Sequence, residues 1–208
     1  TPVQVPYLDG IIAISAHRNS TFALREDGTV WAWGDNGYGQ LGDGTTNGRR
    51  SPVQVVGLGN VAAVAAGFSH TLALHHDGTI SSWGNNGSGQ LGDGTTAHRY
   101  VPVQVPDFNG VTTIAAGGNH SVALRQDGTV WTWGLNTYGQ LGDGTKTRRV
   151  SPRQVPELDG MTAIAAGLYH TVAQHVYGSR WSWGYNNTGQ LGDGTITQRS
   201  SPGPVLDF

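Results

Sequence analysis

One phrase recurs four times in this 208-residue sequence at a fixed interval. Trp133-Gly134-Leu135-Asn136-Thr137-Tyr138-Gly139-Gln140-Leu141-Gly142-Asp143-Gly144-Thr145 has counterparts that begin at Trp33, Trp83 and Trp183, spaced 50 residues apart with no insertion or deletion between copies. A period of that length belongs to solenoids, propellers or arrays, in which each unit buries its faces only against its neighbours. The repeat runs from end to end, so one architecture accounts for the chain.

The third copy shows the unit best. Val111-Thr112-Thr113-Ile114-Ala115-Ala116 is a short β-branched and small-residue run, broken by Gly117-Gly118-Asn119. Ser121–Arg125 and Thr129–Trp133 follow, joined by Gln126-Asp127-Gly128, and Asp-Gly between two alternating runs predicts a hairpin with a type I′ turn. After the glycine-rich loop comes Pro102-Val103-Gln104-Val105, with counterparts at 2–5, 52–55 and 152–155. Proline suits the head of such a strand. Each unit thus offers four short strands and no helical period, which is the content of one propeller blade. The expected fold is all-β: a β-propeller of 50-residue, four-stranded blades, four in this chain, over 11–55, 61–105, 111–155 and 161–205. Residues 1–208 read as a single propeller or half-propeller domain in which strand 2–5 completes a blade. The tail Ser201-Pro202-Gly203-Pro204-Val205, with a second proline, reads as an edge cap. A β-solenoid is the competing geometry.

The units Ala-Ala-Gly-x-x-His, Leu-x-x-Asp-Gly-Thr-Val-Trp-x-Trp-Gly and Gly-Gln-Leu-Gly-Asp-Gly-Thr resemble the repeats of the regulator of chromosome condensation family over nearly the whole chain. The resemblance implies a β-propeller, usually seven-bladed in that family. It implies far less about activity, because members include nucleotide-exchange factors, a plant photoreceptor and bacterial enzyme inhibitors. Four repeats leave three states open: a closed four-blade ring, a half-ring that dimerises, or an excerpt of a longer propeller.

Composition narrows the function classes. Twelve basic and 14 acidic residues give a net charge of −2, with Lys146 the only lysine, which is not the electrostatic footprint of a nucleic-acid binder. There is no cysteine for a disulfide or thiolate metal site, and no stretch approaches the apolar length of a membrane helix. The start at Thr1 reads as trimmed. Scarce lysine, absent cysteine and near-identical repeats suit a bacterial secreted or cell-surface protein.

Several recurring groups have a structural and a functional reading. Gly37-Tyr38-Gly39-Gln40-Leu41-Gly42 matches a dinucleotide fingerprint, but a polar loop follows where a helix is required, so turn chemistry is the expected role. His70, His120 and His170 stand 50 residues apart, and Ser20 breaks the set. They are read as bonding backbone groups within their own blades rather than as metal ligands. Arg49, Arg99, Arg149 and Arg199 each follow the aspartate of Leu-Gly-Asp-Gly by six residues, which predicts a local Arg–Asp pair in each blade. The Trp31/Trp33, Trp131/Trp133 and Trp181/Trp183 pairs read as blade packing. The fourth repeat departs most, with Gln174, Tyr177 and Arg180 where Leu24, Asp27 and Val30 stand in the first; this reads as a terminal cap.

Function is expected where the repeat leaves positions free. Those are Arg18, Asn19, Phe68, Ser69, Asn119, Leu168 and Tyr169 before the histidine position, and Tyr38, Leu135, Tyr138 and Tyr185 after Trp-Gly. Two glutamates, no nucleophile elbow and no triad give enzymatic chemistry no support, and no catalytic, metal or cofactor residues are assigned. The reading is a non-enzymatic binding or scaffold protein that presents propeller face loops to a macromolecule, with a protein as partner and an inhibitor-like role implied by the resemblance. The alternatives are a structural repeat protein that closes a ring as a homo-oligomer, and a glycan-binding module using Tyr38, Tyr138 and Tyr169.

Overall fold

A computed structural model describes residues 1–6 and 8–206. The described residues form 16 strands in four antiparallel sheets, and no helix. Blade 1 is β1 (Ile11–His17), β2 (Ser20–Arg25), β3 (Val30–Gly34) and β4 (Arg49–Gln54). Blade 2 is β5 (Val61–Ala66), β6 (His70–His75), β7 (Ile80–Gly84) and β8 (Arg99–Gln104). Blade 3 is β9 (Val111–Ala116), β10 (His120–Arg125), β11 (Val130–Gly134) and β12 (Arg149–Gln154). Blade 4 is β13 (Met161–Ala166), β14 (His170–His175), β15 (Arg180–Gly184) and β16 (Arg199–Pro204). Strand order within every sheet follows chain order. The first strands of successive blades pack side by side, β1 on β5, β5 on β9 and β9 on β13, so they form the inner edge of the arc. Their alanines allow that close approach.

The core lies between blades. Phe22, Leu24, Val30, Leu41 and Val55 of blade 1 pack on Val61, Ala73 and Trp83 of blade 2, and equivalent clusters join blades 2 and 3 and blades 3 and 4. Each sheet therefore has two buried faces only where it has two neighbours, as a stack of sheets requires. Trp83, Trp133 and Trp183 are fully buried at these joints. Gly92, at φ +75°, makes the room: a Cβ there would stand 2.8 Å from Trp133 Nε1.

The hairpins differ from the expected type I′ form. Gly28 N donates to Arg25 O at 3.0 Å and Arg25 N to Thr29 O at 2.9 Å, so the loop is three residues, Glu26-Asp27-Gly28. Only Gly28 has positive φ, at +77°. This is a type I turn followed by a left-handed glycine, the usual three-residue solution. Asp27 then serves as an acceptor, taking hydrogen bonds from Thr29 N and Oγ1 at 2.9 and 2.6 Å.

Pro2–Val5 joins none of the four sheets and is exposed throughout. The outer place in blade 4 is held by β16, paired Trp181↔Pro204 and Ser182↔Gly203. An outer strand has one ladder, so prolines are tolerated there.

The long loop after each third strand is a locked scaffold. Buried Asn86 donates through Nδ2 to Asp93 Oδ1 at 3.0 Å and to Thr95 O at 3.1 Å, and its Oδ1 accepts from Leu91 N at 3.0 Å. Asp93 pairs in turn with Arg99, at 2.8 Å to Nε and 2.7 Å to Nη2. The same Arg–Asp pair recurs at Asp43/Arg49, Asp143/Arg149 and Asp193/Arg199. Burial alone would raise the Asp93 carboxyl, yet the Thr95 hydroxyl and Arg99 hold it below the ordinary carboxylate range. Replacing Asp93 by Ala should cost about 2 kcal/mol in urea unfolding, because Asn86 and Thr95 lose a buried acceptor. A change within a few tenths of a kcal/mol would show that the loop holds without it.

Candidate functional site

The turn between the first and second strands and the loop after the third strand open on the same face of each blade. A backbone hydrogen bond ties them together: Asp35 N to Asn19 O, Asn85 N to Ser69 O and Leu135 N to Asn119 O at 2.8 Å, and Tyr185 N to Tyr169 O at 2.9 Å. The positions that vary between repeats therefore share one face, opposite the Asp-Gly hairpins.

On that face the side chains form two groups. Over blades 3 and 4, Tyr138, Tyr169 and Tyr185 pack mutually, with ring centroids 5.1, 4.8 and 6.2 Å apart. All three are half-buried, so each keeps part of its ring open to solvent. Leu168 beside Tyr169 is 45% exposed, and its carbonyl accepts from Gly118 N at 3.1 Å. Gly118 has no side chain because Leu168 occupies the space: a Cβ there would meet Leu168 Cδ1 at 2.8 Å. Leu135 is half-buried on the same loop face.

Over blades 1 and 2, the Arg18 guanidinium lies 3.8 Å from the centre of the Phe68 ring, and the His17 ring meets Phe68 edge-on at 6.0 Å. Arg18 takes φ +53°, which presents it outward at the turn. Asn19 is exposed. Tyr38 stands apart from the tyrosine trio, edge-on to His98 at 5.5 Å.

Not every variable position is open. Ser69 is only 2% exposed, so it offers a partner no side-chain surface. Asn119 is half-buried and accepts from Gln90 Nε2 at 3.3 Å. His98, which the sequence groups with the basic residues beside the recurring arginines, shares the face with Tyr38, and its Nδ1 accepts from Asn86 N at 2.9 Å. Its signal was available: the equivalent positions are Gly48, Arg148 and Gln198, a site the repeat leaves free.

The His70 and His120 rings bond to the next blade rather than within their own, which corrects the expected role. His70 Nε2 reaches Ser121 Oγ of the next blade at 3.0 Å, and His120 Nε2 reaches Thr171 Oγ1 at 3.1 Å. Ser121 Oγ spends its proton on Gln90 O at 2.8 Å, and Thr171 Oγ1 on Gln140 O at 2.8 Å. The proton between ring and hydroxyl must therefore sit on Nε2, which leaves Nδ1 as the bare nitrogen. Nδ1 of His70 and His120 is buried with no partner. Burial, with lesser repulsion from neighbouring histidines, lowers both rings to about 3. Among the described residues no group of three or more His, Cys, Asp or Glu is placed to hold a metal. No described helix is long and apolar enough to cross a membrane.

A family model for the RCC1-like domain matches residues 1–208. Human WBSCR16 superposes with a TM-score of 0.88 at 28% identity, covering 99% of this chain and 55% of that one. Prp20p of Saccharomyces cerevisiae, described with its binding properties toward Gsp1p and histones, gives 0.88 at 28% identity over 100% of this chain and 53% of its own. Human E3 ubiquitin-protein ligase HERC2 is 52% identical over 48 residues, which is 22% of this chain and 1% of that protein. The chain thus spans about half the length of the solved relatives, and one repeat length of the ligase.

Proposed function

This chain belongs to the RCC1-like domain family, and from that premise we propose that it is a non-enzymatic protein-binding module whose contact surface is the loop face over blades 3 and 4. The observation that carries the reading is the convergence of Tyr138, Tyr169 and Tyr185 beside exposed Leu168. Tyrosines held by each other lose little freedom on binding, and they combine apolar area with a hydroxyl, which is the chemistry of interface hot spots. The relatives support the class of partner, since Prp20p binds proteins. The scaffold loops beneath keep the rings in place, so specificity lies in residues the repeat does not need.

The test is a footprint. With a protein partner recovered by cross-linking from the source organism and then purified, amide exchange should slow at 135–140, 167–169 and 185–188. The double variant Tyr138→Ser/Tyr169→Ser should weaken binding at least tenfold, roughly the loss of one hot-spot residue, with the melting temperature within a few degrees of the parent. Protection confined to the hairpins at 26–29, 76–79 and 126–129 would place the interface on the other face and defeat the reading.

A further inference from the structure

The glutamine of Gly-Gln-Leu-Gly has one role in all four of the long loops that follow the third strands, and a second role in only two. Its Oε1 accepts from the backbone N–H two residues earlier: Tyr38, Ser88 and Tyr138 at 2.9 Å and Thr188 at 3.0 Å. That bond fixes which end of the side chain carries the nitrogen. In the blade 1 loop, Gln40 Nε2 donates to Asp35 Oδ2 at 3.1 Å and Gly37 N to Asp35 Oδ1 at 3.2 Å. In the blade 2 loop, Asn85 Oδ1 accepts from both, Gln90 Nε2 at 3.2 Å and Gly87 N at 2.9 Å. Two donors thus converge on one side chain, and the Asp35 carboxylate answers them with one oxygen each.

The blade 3 loop keeps the donors and lacks the acceptor. Leu135 stands where Asp35 and Asn85 stand, and Thr137 where Gly37 and Gly87 stand. Gln140 is 0% exposed, and its Nε2 is buried with no hydrogen-bond partner. Thr137 N has no acceptor among the described residues. The second acceptor of Gln90 Nε2, Asn119 Oδ1 at 3.3 Å, is also missing, because its counterpart is Tyr169. A buried donor left unpaired costs its full desolvation. The scaffold does not require that cost, since the Asn–Asp bond beneath is the same in the loops that have the acceptor.

The unanswered donors lie within the tyrosine surface. Gln140 holds the N–H of Tyr138. The residues toward which its nitrogen is directed in the blade 2 loop, Asn85 and Asn119, correspond here to Leu135 and Tyr169. The Tyr138 and Tyr169 rings meet at 5.1 Å. No acidic side chain stands among Leu135, Thr137, Tyr138, Leu168, Tyr169 and Tyr185. The blade 4 loop has lost the acceptor too, at Tyr185, but Gln190 there is half-buried rather than enclosed.

Resting on the reading of this face as a protein-binding surface, we propose that Gln140 Nε2 and Thr137 N are a receptor for a carboxylate, supplied by an aspartate or glutamate side chain of the partner. With Leu135 rotated aside, the carboxylate takes the place that Asp35 holds in blade 1, one oxygen on each donor, between the tyrosine rings. A carboxylate suits the pair better than a carboxamide, because it offers two acceptors and brings no N–H against either donor.

The test needs no partner. N-acetyl-aspartate methylamide, with its side-chain carboxylate free, is added at neutral pH to the 15N-labelled chain up to about 50 mM, a range in which one such contact registers. The Gln140 side-chain amide and the Thr137 backbone amide should shift together and saturate. The neutral asparagine counterpart should bind at least about fivefold more weakly, since it loses the charge-assisted bonds. Leu135→Asp, which rebuilds the blade 1 arrangement, should abolish the response, and Leu135→Met should keep it. No saturating shift at these two groups, equal binding of the two compounds, or an undiminished response in Leu135→Asp would overturn the proposal. Against the cross-linked partner, Leu135→Asp should lose affinity as Tyr138→Ser/Tyr169→Ser does. If only the tyrosine variant loses it, the carboxylate receptor fails and the binding face stands; if neither does, both fail.

Discussion

Between pH 5.5 and 4.5 the unfolding free energy should fall by about 2.5 kcal/mol, from the ~1.4 kcal/mol per pH unit that each of two buried histidines contributes. His70 and His120 titrate at about 3 in the folded chain, against roughly 6.5 when unfolded. The folded state thus keeps them neutral while the unfolded state binds their protons. Their contribution is complete above pH 6.5 and is lost progressively as pH falls toward 3. Protonation has no compensation within the fold: Nδ1 is buried without an acceptor, and Nε2 already donates. Since a domain of this size has a total stability of about 5–15 kcal/mol, mild acid should remove much of it. The depressed aspartates act in the same direction but mainly at lower pH, while His17 and His170, lowered by burial, add a smaller share within this window. Urea titrations at half-unit intervals measure the slope. His120→Asn should remove one ring's share of it, ~1.4 kcal/mol per pH unit, and a flat profile across the window would mean that the rings are hydrated.

Trp133→Ala should destabilise the chain by about 3–5 kcal/mol, the usual loss for a fully buried large aromatic. Trp133 is 0% exposed, closes the joint between blades 2 and 3, and donates to Gln90 O. Trp33 is the same residue of the repeat with no preceding blade among the described residues; half-buried there, it should cost only about 1 kcal/mol as Ala. The two variants are compared by urea unfolding. Equal losses would show that the tryptophans act within their own sheets rather than across the joints.

The architecture was legible because its causes are local and repeated. The interval from Asp93 to Arg99 lies within one loop, so pairing followed from spacing. The direction of the histidine bond was not legible, because its partner stands 51 residues away in the next blade. A hint was present in the hydroxyl that follows each histidine, at Thr71, Ser121 and Thr171. The hairpin was misread for a different reason: Asp-Gly suits either a two- or a three-residue loop, and the pairing Leu24↔Val30 decides. As for the candidate site, the sequence marked which positions vary but not which of them meet. Tyr138 and Tyr169 are close only because adjacent blades fan out from a common inner edge, and Ser69, marked by the same rule, is covered for the same reason.

The joints carry one more consequence. Because the carbonyls of Gln40, Gln90 and Gln140 are each met by an indole N–H and a hydroxyl of the next blade, the three joints share one polar contact whichever blades they connect. The apolar filling differs from joint to joint, with Phe22 against Trp83 at one and Phe108 against Trp131 and Trp133 at the next, while the polar contact stays the same. The residues that join the blades are thus not the residues that vary on the loop face. A substitution on the loop face can therefore change what the surface presents without touching the contact that holds its blade to the next.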